Sequence, residues 1–139
     1  PGSSKTKQKF DLTLQELEPE VETAFGDVTV TPYMVHHGQP DGPFFALRIK
    51  AEDRVVTYTG DTQWTDSLIP AAKDADLFVA EAYFRDKSVP LHLDLATLEQ
   101  HLPEIGAKKV VLTHMSDDML KQVDELAYET AEDGKVVAF

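Results

Sequence analysis

The stretch VVTYTGDT, residues 55–62, is a β-branched run that stops at a glycine followed by a carboxylate. Valine and threonine at this density predict a strand. Gly60 lets the backbone turn tightly, so that Asp61 points off the strand end. Thr62 can bond the loop or the carboxylate and so fix its orientation. Two further stretches share this form. VTPYMVHHG (30–38) runs into His36 and His37, and KVVLTHMS (109–116) runs into His114. Strand ends on one edge of a sheet can converge on a single place, and imidazole and carboxylate are ligands for zinc-class metals.

Working outward, Asp27–His36 reads as a strand. Phe44–Ile49 and Arg54–Thr59 read as a hairpin around the polar turn Lys50–Asp53. Two glycines and two prolines in Gly38–Pro43 mark a loop. Phe10–Leu17 alternates in part, which predicts a strand, and the acidic Glu16–Glu22 predicts a turn. After Thr59 the pattern changes. Trp64–Lys73 reads as a helix and Leu77–Ala82 as a buried strand. Asp94 caps a helix bearing Leu95, Leu98, Leu102 and Ile105, closed by Gly106. Val110–Thr113 follows as a strand, Asp117–Glu132 as a helix, and Val136–Phe139 as a last strand. The order predicts an α/β (α+β) chain, a mixed sheet with helices on one face. Its other face would be apolar and uncovered. Pro1–Lys9 reads as a polar tail or linker before one domain.

Each ligand candidate has a plainer reading. Asp61 in Gly-Asp-Thr is also ordinary turn chemistry, and His114 alone is also a satisfied structural histidine. Neighbouring residues on a strand face opposite ways, so at most one of His36 and His37 points at a shared site. Glu81 ends the apolar strand LFVA, with His92 following in VPLHLD; the two form either an acid/base pair or a solvent-facing carboxylate and a loop histidine. His101, on the amphipathic helix, reads as exposed and uninvolved.

Composition narrows the partners. The chain has 139 residues, no cysteine and a net charge of -12. Disulfides, thiolate metal sites and a cysteine nucleophile are excluded. Thirteen scattered basic residues against 25 acidic ones argue against nucleic acid as a partner. No apolar run approaches the roughly 20 residues that span a bilayer, so no membrane partner is expected and the cytoplasm is the default compartment. A glycine-rich phosphate loop and G-x-S-x-G are both missing.

In family order, VTPYMVHHG, FFALRI, VVTYTGDT, DLFVAEAYF, HLD and AKKVVLTHMS resemble the C-terminal half of the metallo-β-lactamase superfamily, in the branch that includes RNase Z and related phosphodiesterases. The resemblance covers roughly Phe10 to Met119. It implies half of a four-layer αββα sandwich over residues 10–139. It implies two metal ions in the complete protein, zinc first, with manganese or iron as alternatives. By resemblance His37 is a metal ligand, with His36 the fallback. Asp61 is the carboxylate that bridges both metals, and His114 is the last ligand. Glu81 and His92 are the pair that assists leaving-group protonation. The implied activity is hydrolysis of a phosphodiester or other ester-type bond, on a small molecule or phosphoester, through metal-activated water.

Departures from the pattern matter as much. Ala80 stands where RNase Z-type enzymes have a histidine, and Leu93-Asp94 stands where they have Ser-Thr, which argues against tRNA processing. The signature H-x-H-x-D-H does not occur. The resemblance therefore makes this chain part of an active site and inactive alone. Its partner would be the N-terminal half of the same domain or a second copy. The alternative is a non-catalytic half-domain that self-associates through its uncovered sheet.

Overall fold

The computed structural model describes residues 9–38 and 42–139. Seven strands lie side by side in chain order: β1 (Thr23–Phe25), β2 (Val28–Val35), β3 (Phe44–Ala51), β4 (Arg54–Tyr58), β5 (Leu77–Glu81), β6 (Val110–Thr113) and β7 (Glu129–Thr130). The first four pair antiparallel, β4 to β7 parallel. The sheet is thus mixed, as expected. Each parallel step needs a crossover. These carry α1 (Leu68–Ala72), α2 (Leu95–Ile105) and α3 (Asp117–Leu120), the last followed by a 3-10 turn at Val123–Glu125. No helix among the described residues is long and apolar enough to cross a membrane.

Register assigns the two faces. Arg48, Thr57, Phe78 and Val110 form a row across β3 to β6. On this face Phe78, Ala80 and Leu112 pack with Leu68 and Ala71 of α1, Leu95, Leu98 and Ile105 of α2, and Met119 of α3. Thr57 Oγ1 donates to Ala71 O at 2.7 Å and Arg48 Nη1 to the same carbonyl at 2.9 Å, tying α1 down. The opposite face carries Pro32, Leu47, Tyr58, Val79 and Val111 in one row. None of these five belongs to the helix-side core. Met34 and Tyr58 on that face are 47% and 40% exposed.

α2 forms as its ends predict. Asp94 Oδ1 accepts from Thr97 N at 2.8 Å, and Gly106 closes the helix at φ 68°. The hairpin is also where expected, with Glu52 at positive φ in its turn. Four expectations fail. Phe10–Leu17 forms no strand: Phe10, Leu12 and Leu14 are exposed, and β2 takes Thr23–Phe25 as its neighbour instead. Trp64–Lys73 is helical only from Leu68, because Gln63 is held in a bridge to His36. Asp117–Glu132 breaks after one turn, and Glu129–Thr130 pairs with β6, whose free edge supplies backbone partners that a helix would not use. Val136–Phe139 joins no ladder, and Val136 is 91% exposed. Of the loop expected at Gly38–Pro43, residues 39–41 lie outside the described residues.

Asp76 anchors the entry to β5. Its buried carboxylate accepts from Lys108 Nζ and Val55 N, both at 2.8 Å, and from Arg54 at 3.4 Å. The Lys108 bond first, then the Val55 bond, holds its pKa down to about 2. A carboxyl lowered in the folded state stabilises fully above the unfolded value, near 3.8. That contribution is lost as pH falls from there through about 2. Urea midpoints measured from pH 5 to pH 2 should fall more steeply for the native chain than for Asp76→Asn, which has no carboxyl to titrate.

Candidate metal centre

β2, β4, β5 and β6 all run the same way, since β3 lies antiparallel to both β2 and β4. Their C-terminal ends therefore share one edge, where open α/β sheets place their sites. His37 lies two residues past β2, Asp61 three past β4, Glu81 is the last residue of β5 and His114 the first after β6. Gly60 makes the turn at φ 63°; a Cβ there would stand 3.3 Å from Phe45 O.

Asp61 faces two imidazoles with its two oxygens. Oδ2 lies 4.0 Å from His37 Nε2, and Oδ1 lies 3.4 Å from His114 Nδ1. His37 Nδ1 donates to the Leu91 carbonyl at 2.9 Å. A carbonyl only accepts, so that bond fixes the tautomer and leaves Nε2 free towards Asp61, as outer partners of ligand histidines do. His36 is used through its backbone: its N–H donates to Thr62 Oγ1 and its carbonyl accepts from Gln63 N. Of the two neighbours, His37 is the one whose ring meets Asp61.

Glu81 is fully buried. One oxygen accepts from Thr62 N at 2.6 Å; the other lies 2.5 Å from His92 Nδ1. Thr62 therefore orients Glu81 rather than Asp61. His114 Nε2 is 3.8 Å from the same Glu81 oxygen, so His114 spans the two carboxylates. Glu81, His92 and His114 bring ligand atoms within 4.8 Å of one another, a possible metal site overlapping the expected His37, Asp61 and His114 set. The fit is good for a borderline cation: imidazole nitrogens and carboxylate oxygens converge, and the outer nitrogen of His37 is already held. The Glu81–His92 pair has the geometry of an acid/base couple, with the second ring nitrogen of His92 left to handle a proton. Burial, then the nearby Asp61 and Glu81 carboxylates, push the Tyr58 hydroxyl up.

Aromatic contacts were not foreseen. Tyr83 stacks on His92 with centroids 4.5 Å apart and lies 5.6 Å from His114. His101, expected to stand alone, stacks on Trp64 at 3.7 Å. His114 adopts φ 50°, a left-handed conformation rare for a residue with a Cβ.

Comparison with known proteins agrees with the geometry. The probable metallo-hydrolase YhfI of Bacillus subtilis is 35% identical over 74 residues, which is 51% of this chain and 30% of that protein. Its crystal structure superposes with a TM-score of 0.66 at 25% identity, covering 82% of this chain and 50% of the other. Ribonuclease Z of Haloarcula marismortui is 32% identical over 109 residues, 73% of this chain and 35% of that enzyme. A diphosphatase of the PhnP family shares the fold, with a TM-score of 0.69 at 21% identity over 86% of this chain and 47% of its own. The chain thus spans about a third of these curated relatives and half of the solved structures. The model of the beta-lactamase superfamily domain matches residues 2–115, and with it the chain belongs to the metallo-β-lactamase superfamily.

Proposed function

We propose that this chain supplies the C-terminal half of a two-zinc hydrolase that cleaves a phosphodiester or other ester-type bond. One observation carries the reading: the two oxygens of Asp61 address His37 Nε2 on one side and His114 Nδ1 on the other. His37, Asp61 and His114 would hold metal, with zinc favoured by the donor set and manganese or iron also suited to it. The bound ions would supply a water acidic enough to attack at neutral pH. The chain's own residues do the rest. Leu91 and Thr62 orient His37 and Glu81, and Glu81 holds His92 so that its outward nitrogen meets the leaving oxygen. As the bond to that oxygen breaks, His92 gives it a proton. The apolar sheet face, with Met34 and Tyr58 exposed, would be covered by the N-terminal half of the domain. A cytoplasmic enzyme acting on a small phosphoester, not a nucleic acid, suits the acidic surface.

The same face supports a second reading, a non-catalytic half-domain that pairs with its own copy. Hydrolysis of bis(4-nitrophenyl) phosphate by the polypeptide that carries this chain separates the two. Turnover should vanish with EDTA and return with zinc. Turnover unaffected by the chelator overturns the metal mechanism, and a metal-free dimer without turnover favours the second reading.

A further inference from the structure

A pocket of about 410 Å³ opens directly beside His92. That is within the size range of small-molecule sites, roughly 300–1,000 Å³. Trp64, Val89 and Pro90 give it apolar walls, and His92 stands at its border with the candidate metal centre. No Lys or Arg lines it. Its one carboxylate, Asp94, is spent: Oδ1 accepts from Thr97 N and Oδ2 from Thr97 Oγ1. Apart from His92 at the border, the lining thus offers no cation to a phosphate, and both oxygens of its carboxylate already accept hydrogen bonds, while it does offer an indole.

The pocket is also held in shape. Leu91 N donates to Gln63 Oε1 at 3.4 Å while Leu91 O accepts from His37, which straps the Ser88–His92 loop to the site. On its other flank Trp64 stacks nearly parallel to His101 of α2, at 9°. A preformed aromatic wall costs little to fill, because no side chain needs to be ordered on binding.

We propose that this pocket is the leaving-group subsite and that it takes a flat, uncharged ring. This rests on the hydrolase reading only for the ring's role as leaving group. The ring would lie against Trp64, and the ester oxygen it carries would face His92. The substrates would then be aryl or nucleoside-type esters, with the phosphoryl or acyl centre towards Asp61 and the ring away from it.

Trp64 is the single tryptophan of these 139 residues, and in the polypeptide that carries the chain its contribution to the fluorescence excited at 295 nm, taken as the difference from Trp64→Phe, reports on the pocket without turnover. Benzyl alcohol and adenosine should each give a saturable change, and inorganic phosphate none. Ser88→Phe, in the exposed loop lining the pocket, should fill it and weaken both ligands about tenfold or more. A response to phosphate equal to that of benzyl alcohol overturns the proposal. So does the absence of saturation, or saturation that Ser88→Phe leaves unchanged. A chain that hydrolyses nothing can still pass this test. Conversely, if hydrolysis is found and phenyl and methyl esters share one kcat/KM, the subsite falls while the hydrolase stands.

Discussion

Asp61→Ala should empty the metal centre and leave the fold intact. Asp61 is the one carboxylate that addresses both His37 and His114. Without it His37 has no carboxylate facing its Nε2, and Glu81, already held by Thr62 N and His92, is the one anionic donor left beside His114. Loss of a mere outer partner of a ligand costs about 10- to 100-fold in affinity or activity, so loss of the shared ligand should exceed about 100-fold in both. The native polypeptide, dialysed against zinc, should retain metal by elemental analysis; the variant should retain less than about a tenth of an equivalent. Asp61 is 36% exposed in its side chain, and surface substitutions move stability by about 0.5 kcal/mol or less. The metal-free forms should therefore melt within a degree or two of each other. Metal retained by Asp61→Ala would remove Asp61 from the ligand set and turn attention to Glu81, His92 and His114.

Phe78→Ala should be the most destabilising single truncation in the chain. Phe78 is fully buried, the second residue of β5 on the helix side, and is the largest of the fully buried side chains among the described residues. Phe-to-Ala changes at such sites cost about 3–5 kcal/mol, against a total stability of about 5–15 kcal/mol for a domain. A urea titration should show the midpoint collapse. Val79, next along the strand but on the opposite, helix-free face, is only half-buried, and Val79→Ala should cost distinctly less. Equal costs would mean that the helix-free face is covered as well as the helix side. Since Glu81 lies three residues beyond Phe78 on the same strand, partial loosening of β5 would also show as a loss of the Glu81–His92 contact.

The parts legible in the sequence were those where several local signals agree. α2 has a cap at Asp94, apolar residues at helical spacing and a glycine at Gly106, and it forms between those limits. Asp61 and His114 stood out because dense β-branched runs end at them, and the structure brings both to one edge. The helix expected at Asp117–Glu132 failed because Leu120, Val123 and Leu126 at three-residue spacing suit helix and 3-10 turn alike. The free edge of β6 then drew Glu129–Thr130 into the sheet. Alternation could not choose between His36 and His37, because β2 ends at Val35 and the register lapses just where it was needed. Tyr83 on His92 and Trp64 on His101 are contacts between residues nine and 37 positions apart. No periodicity records such pairs; only the folded sheet edge brings them together.

The left-handed backbone at His114 bears on how such a chain would change over generations. A side chain at φ 50° costs about 1 kcal/mol relative to glycine. A lineage released from the need for an imidazole there could exchange it for glycine and melt at a higher temperature. Selection for stability alone therefore pushes against this histidine. Replacing His114 by glycine should raise the melting temperature of the metal-free chain while removing the ring that stands between Asp61 and Glu81.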